Sequence, residues 1–245
     1  MIPIARVKLD EELARRLDNR TTQLKMNNAD SGEARTTWRS AETERRGIRS
    51  YLEEMAPGIK RCMYCGDNLG TDIDHFEPIS SAPIRTFEWL NHLLACSFCN
   101  SNQKRHSYPR DPSGKALLID PTSEDPSRHL ALTLSNGEYR ALTPQGRASI
   151  DVFGLNRADL TRGRAGAFHT RRATLCYTRM LFDQGRRNAA VQCLSALAEE
   201  PHASVLHAMV QSVRLPGALD VLGADVVAAL EEPVFMRLLT FQSFS

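Results

Sequence analysis

At 245 residues, with 42% hydrophobic content and a formal net charge of +2, the chain reads as a soluble globular protein, either one large domain or a small core with additions. No run approaches the roughly eighteen consecutive apolar residues of a membrane span, and the stretch from Met1 to Asp10 lacks the apolar core of a secretory signal. The expectation is a cytoplasmic protein with no membrane partner, in which disulfides are disfavoured and paired cysteines read as metal ligands.

Apolar residues at Leu9, Leu13, Leu17 and Leu24 predict a first helix from Leu9 to Met26. The run from Asn27 to Gly32 reads as a loop, and a second helix should extend from about Glu33 to Met55, stopped by Pro57 and Gly58. It carries Arg35, Arg39, Arg45, Arg46 and Arg49 interleaved with Glu33, Glu42 and Glu44, which reads as a salt-bridged solvent face rather than a nucleic-acid patch. Trp38 is expected to anchor this helix on the core.

Two C-x2-C pairs follow, Cys62 with Cys65 and Cys96 with Cys99. Two intervening residues let both thiolates of a pair face inward, and two such pairs complete a tetrahedral sulfur shell that suits structural Zn2+. Gly66 permits the tight turn such a knuckle needs, whereas Cys176 and Cys193 read as small buried hydrophobes. Between the pairs, Thr71 to Phe76 alternates as a strand, with Ile73 and His75 on one face and Asp74 and Phe76 on the other. Asp74 and His75 cannot share a face of an ideal strand, so the chain must turn at or just after them, and Pro78 with Ser80 to Pro83 supplies the loop. Phe87, Trp89, Leu90, Leu93 and Leu94 then return the chain to Cys96.

Farther on, Leu130 to Leu134 and Glu138 to Leu142 flank Ser135, Asn136 and Gly137, a hairpin signal. From about Asn156 the pattern is helical, with Phe168, Leu175 and Phe182 at heptad spacing. Eight arginines between Arg157 and Arg187 face only Asp159 and Asp183, and the rest of the chain is acidic and apolar, which reads either as one surface for a polyanion and another for protein contact or as a solvated helix face. The apolar ending from Val234 to Phe241 either docks on the helices or forms a partner surface. The chain therefore divides into an N-terminal helical region (1–58), a four-cysteine core (59–110), a hairpin extension (111–155) and a C-terminal helical region (156–245), an α+β class.

Taken in order, Cys62-x2-Cys65, Asp74-His75, Asn91 and Cys96-x2-Cys99-Asn100 with Lys104 resemble the zinc-knuckle branch of the HNH endonucleases over residues 60 to 106. The resemblance implies a ββα-metal core, in which two short strands pack on a helix around one catalytic divalent ion, and DNA as substrate. It implies that His75 is the general base, that Asp74 and Asn100 hold Mg2+ or Mn2+, and that Asn91 holds the His75 ring in register through loop backbone. Asp72 is the reserve ligand, and Lys104 would contact a phosphate. The third motif position is Asn100 rather than histidine, which preserves an oxygen ligand. His92 and His106 are rivals for the base, but neither follows a carboxylate ligand in the loop. More loosely, Leu117 to Pro121 and Gly154 to Arg157 resemble the HNH subunits of Septu-type bacterial anti-phage systems. That narrower likeness implies a defence or restriction nuclease controlled by a protein partner, such as an ATPase, engaged through the C-terminal helices. The alternative is a non-catalytic zinc-knuckle module that binds nucleic acid or protein, which has no need of Asp74, His75 and Asn100 together.

Overall fold

Asp10 caps α1 (Glu11–Met26) by accepting from the Leu13 amide at 2.7 Å, and Leu13, Leu17 and Leu24 form its buried stripe. The computed structural model describes residues 1–239, so Thr240 and Phe241 of the expected apolar ending lie outside the described residues.

The second expected helix is in fact two. Asp30 and Glu33 close a capping box on α2 (Ser31–Ser40), Ala41 leaves helical geometry at φ −85°, ψ 58°, and α3 (Glu42–Met55) follows. The break separates two packing tasks. Trp38 of α2 lies against Phe87 and His92, whereas Ile48 and Leu52 of α3 are fully buried and α3 packs on the second strand described below. Salt bridging here is sparse: Glu44 pairs with Arg20 of α1 and Arg49 approaches Glu53, but Arg35, Arg39, Arg45 and Arg46 have no acidic partner among the described residues. The expected salt-bridged face is therefore not what these helices present.

β1 (Asp72–His75) and β2 (His92–Ala95) pair antiparallel, with Asp72 opposite Ala95 and His75 opposite His92. β1 stops at His75, where the alternation required the chain to turn. A short, wide helix of π type, Phe98–Lys104, follows β2 and holds Cys99, Asn100 and Lys104. The expected hairpin is present as β3 (Leu130–Thr133) and β4 (Glu138–Ala141). After it comes α4 (Pro144–Phe153), which was not expected, capped by Thr143 and ended by Gly154 in the left-handed conformation. Its Phe153 ring stacks on Tyr64 with centroids 3.9 Å apart and closes the space behind the cysteines.

The remaining helices are α5 (Ala158–Asp183), α6 (Arg187–Glu199), α7 (Ala203–Ser212), α8 (Ala218–Leu222), α9 (Ala224–Glu231) and α10 (Pro233–Leu239). Phe168 and Leu175 of the heptad stripe join Leu194, Met209, Leu230 and Phe235 in an apolar core distinct from the one beneath the strands. Part of the basic segment is internal. Arg164 and Arg171 are fully buried, Arg164 donating to the Gly137 and Leu155 carbonyls at 2.6 and 2.5 Å and Arg171 to that of Pro201 at 2.6 Å. These two guanidinium groups fasten backbone rather than face a polyanion. Helices with two separate two-stranded sheets make the class α+β. No helix among the described residues is long and apolar enough to cross a membrane.

The hairpin turn is where β3 and β4 meet α5. Gly137 sits at φ 72°, and a Cβ built there would come within 2.1 Å of the Thr161 carbonyl oxygen. Gly137→Ala is expected to destabilise the protein by about 2 kcal/mol or more, through both the left-handed backbone and the clash. Thermal melts of the variant beside wild type measure it, and an unchanged midpoint contradicts the docking.

Candidate functional site

The four cysteine sulfurs lie within 4.8 Å of one another, all buried. A tetrahedron with metal–sulfur bonds of about 2.3 Å has edges of about 3.8 Å, and the Cys65 and Cys96 sulfurs stand 3.9 Å apart. Local backbone makes this possible. The Gly66 amide donates to the Cys62 carbonyl at 2.8 Å with Gly66 at φ 68°, and the Asn100 amide donates to the Cys96 carbonyl at 3.0 Å. The Met63 amide donates to the Leu94 carbonyl at 2.9 Å and hooks the first knuckle onto β2. Hydrogen bonds from Cys62, Cys96 and Cys99 hold the Cys65 thiol below the usual thiol range, while burial pushes the Cys62 thiol up. Four thiolates at this spacing need a cation between them, and the cluster can hold a zinc ion.

β1 presents different chemistry on its two faces. On the face toward the short helix, Asp72 accepts from the Asn100 side-chain amide at 3.2 Å and from the Ser101 hydroxyl at 3.3 Å. Two residues on, Asp74 is 3% exposed, clasped by the Tyr64 hydroxyl at 2.5 Å and the Lys104 ammonium at 2.8 Å. Burial raises the Asp74 pKa, with Lys104 and Tyr64 opposing. Lys104 is itself fully buried and also donates to the His75 carbonyl at 2.6 Å, so its ammonium faces inward and away from any surface phosphate.

His75 occupies the other face. The Nε2 atoms of His75 and His92 both reach the Thr86 carbonyl oxygen, at 3.0 and 2.9 Å. A carbonyl only accepts, so both rings carry their proton on Nε2 and leave the lone pair on Nδ1. The loop bearing that carbonyl is fixed by Asn91, whose Oδ1 accepts from the Glu77 amide at 2.8 Å and whose Nδ2 donates to the Glu77 and Arg85 carbonyls at 3.0 and 3.2 Å. Trp38 meets the His75 ring edge-on at a centroid distance of 4.5 Å. Burial lowers the His75 pKa to about 4 and that of His92 well below its ordinary value, so both are neutral at pH 7. His92 is fully buried and His75 is 9% exposed; His106 is exposed and outside this cluster.

Three groupings result. Asp72 and Asn100 meet in an open cleft also lined by Trp38, Ile73 and arginines of α3. Asp74 and Lys104 form a buried pair farther along the same strand face, and His75 and His92 share one carbonyl on the reverse face. Sequence reasoning missed Tyr64, the Thr86 carbonyl and the buried Glu77, which ion-pairs with Arg85 and Arg110. Tyr64 had a readable signal, lying inside the first C-x2-C pair. A backbone carbonyl leaves none.

No protein-family model matches the chain. It is similar to the Septu protein PtuB of Bacillus mycoides (strain KBAB4), with 26% identity covering 48% of this chain and 50% of that protein. The chain thus spans about half the length of the curated relative it matches.

Two predictions follow from this geometry. Cys96→Ser should lose zinc and unfold the strand region, since structural zinc sites contribute on the order of 10 kcal/mol of binding energy coupled to folding, whereas His75→Ala should keep both zinc and fold. Metal analysis and melts of the two variants test this, and zinc loss from His75→Ala contradicts the assignment. The second concerns pH. Because the folded-state pKa values of His75 and His92 lie below the unfolded value of about 6.5, the unfolded chain binds more protons between them. The contribution of these rings is fully present above about pH 6.5 and is lost as pH falls toward the folded values, by up to about 1.4 kcal/mol per pH unit for each ring. His92→Gln should flatten the fall in denaturant midpoint between about pH 7 and 5.5; an unaltered slope counts against it.

Proposed function

We propose that the chain is a metal-dependent HNH endonuclease that hydrolyses DNA phosphodiester bonds, acting as the effector of a bacterial anti-phage defence system. The observation that carries this reading is the pinned histidine: His75 is held through Nε2 on a carbonyl whose loop Asn91 fixes, leaving the Nδ1 lone pair free at the end of a strand that also bears two carboxylates. A purely structural zinc knuckle has no use for that arrangement. The strand, strand and helix order of β1, β2 and Phe98–Lys104 supports a ββα-metal core within residues 59–110.

In this reading His75 Nδ1 takes the proton from the attacking water, and the Thr86 carbonyl stabilises the imidazolium that results. The oxygen donors on the neighbouring face fit a hard divalent ion, which is commonly held by one or two carboxylates and leaves room for phosphate oxygens. Asp74 and Asn100 are its protein ligands, with Asp72 already beside Asn100. Lys104 neutralises Asp74 in the arrangement described here and must yield that contact to an ion. Mg2+ or Mn2+ supplies charge compensation at the scissile phosphate and the leaving oxygen.

Likeness to a Septu protein supports the defence role and a partner protein; in this reading the partner, such as an ATPase, engages the C-terminal helical region, residues 156–245. The exposed Tyr177, Met180 and Leu219 on those helices, with Leu215 in the turn before α8, are apolar surface consistent with such a contact.

Cleavage of plasmid and single-stranded DNA with Mg2+ or Mn2+, in the presence of the cognate partner, tests the proposal. His75→Ala should lower the rate by about 10²- to 10⁴-fold, and Asn100→Ala, Asp74→Asn and Asp72→Asn should each weaken metal dependence. The larger loss of the two aspartate variants identifies the carboxylate that carries the ion. Equal inertness of wild type and His75→Ala in every ion leaves the non-catalytic zinc-knuckle module in its place.

A further inference from the structure

The cleft that holds Asp72 and Asn100 has a second wall, and it comes from outside the four-cysteine core. Arg45, Arg46 and Arg49 of α3 line it with Glu42, opposite Thr71, Asp72, Ile73 and Asn100. Positions 42, 45, 46 and 49 fall on one helix face, at the i, i+3, i+4, i+7 spacing. Neither the Arg45 nor the Arg46 side chain has an acidic partner or hydrogen bond among the described residues, and the Arg45 Nε–H is shielded from solvent without an acceptor. Arg49 is anchored instead, donating to the Thr71 carbonyl with Glu53 3.8 Å away, and so ties the helix to the strand edge. Glu42 stands in the first turn of α3, where it complements the partial positive charge of the helix end.

The two carboxylates of the cleft, Glu42 and Asp72, form no ion pair with Arg45 or Arg46, so both guanidinium groups are left able to take an anion from outside. A shielded donor without an acceptor is costly, and a phosphate oxygen supplies the charge-assisted partner. Lys104, the residue expected to serve as phosphate contact, is buried on Asp74 and cannot fill this role as it stands. We infer that α3 is the phosphate clamp of the site: Arg45 and Arg46 hold the DNA backbone beside the scissile phosphate, with Arg49 fixing the wall in place. The inference rests on the nuclease reading of Asp72, Asp74, His75 and Asn100, and it adds the surface that positions the substrate.

Binding of a labelled DNA duplex to the full chain, measured by anisotropy in the His75→Ala background so that bound DNA stays intact, tests it. With Arg45→Gln and Arg46→Gln together, affinity at about 0.1 M salt should fall about tenfold or more, and the slope of log K against log salt should drop by about two, one for each lost phosphate contact. Arg45→Lys with Arg46→Lys should retain most of that slope, because the charges remain while the planar forks are lost. Arg214→Gln, at an exposed arginine in the turn between α7 and α8, should change nothing. Unchanged duplex affinity in the double glutamine variant while wild type still cleaves DNA overturns the clamp and leaves the nuclease intact. An affinity loss with no change in salt slope overturns it too, since the arginines would then act on the fold. Tighter binding of an RNA of equal length overturns the assignment to DNA. If wild type neither binds nor cleaves DNA, both readings fall together.

Discussion

Everything functional in this chain hangs on the convergence of four cysteine sulfurs. β1 and β2 are four residues each, and a two-stranded pair of that length is marginal by itself in water. Cys62 and Cys65 precede β1 and Cys96 and Cys99 follow β2, so an ion held by all four closes the hairpin at the base and fixes the helix that carries Asn100 and Lys104. The surroundings reinforce this. Phe153 stacks on Tyr64 behind the cluster, and an Arg157 nitrogen lies 3.9 Å from the Cys99 sulfur, where its charge offsets that of the thiolates. The His202 amide, just before α7, donates to the Gly66 carbonyl at 2.7 Å, so the C-terminal helices are fastened to the knuckle itself.

Charge within the core is balanced locally rather than exposed. Asp74 and Lys104 are both buried and paired, and removing one partner would strand the other, at a typical cost of about 3–5 kcal/mol. Burial pushes the Asp74 pKa up, and the Lys104 ammonium opposes that shift. Lys104 also donates to the His75 carbonyl, so one ammonium links the carboxylate side of β1 to the backbone of the histidine. On the reverse face, two imidazoles share a single carbonyl oxygen. That arrangement tolerates two neutral rings and, with burial, resists protonation of either.

The four-cysteine cluster is legible in the sequence because its information is local: two C-x2-C pairs bring four thiols together at the spacing a metal ion takes. Strand alternation correctly places Asp74 and His75 on opposite faces, and Ser135 to Gly137 announces its hairpin. Helix α4 is also written locally, in Thr143 and Pro144 at its start and Gly154 at its end, but those signals fell inside a stretch read as extension. What periodicity cannot convey is long-range partnering. Arg164 and Arg171 look like a basic surface until Gly137, Leu155 and Pro201 are brought to them, and Arg45 looks like half of a salt bridge until Glu44 turns to Arg20. The Thr86 carbonyl has no sequence signature at all, because any residue supplies one.

The break at Ala41 is the clearest case of tertiary geometry overruling helical pattern, and its cause lies in the strand it covers. On an uninterrupted helix, Trp38, Arg45 and Arg49 would align on one face, with about 16 Å of axial rise between the first and last at 1.5 Å per residue. The groups that Trp38 and Arg49 meet, the His75 ring and the Thr71 carbonyl, are four residues apart, about 13 Å at the rise of an extended strand. A single rigid helix cannot match both ends of so short a strand. Ala41, fully buried and non-helical, absorbs the difference, letting α2 seat Trp38 on the histidine while α3 sets its arginines against the carboxylate end. The N-terminal helices thus reach the site at two points, Trp38 on the His75 and His92 rings and Arg49 on the Thr71 carbonyl, while α3 packs on β2.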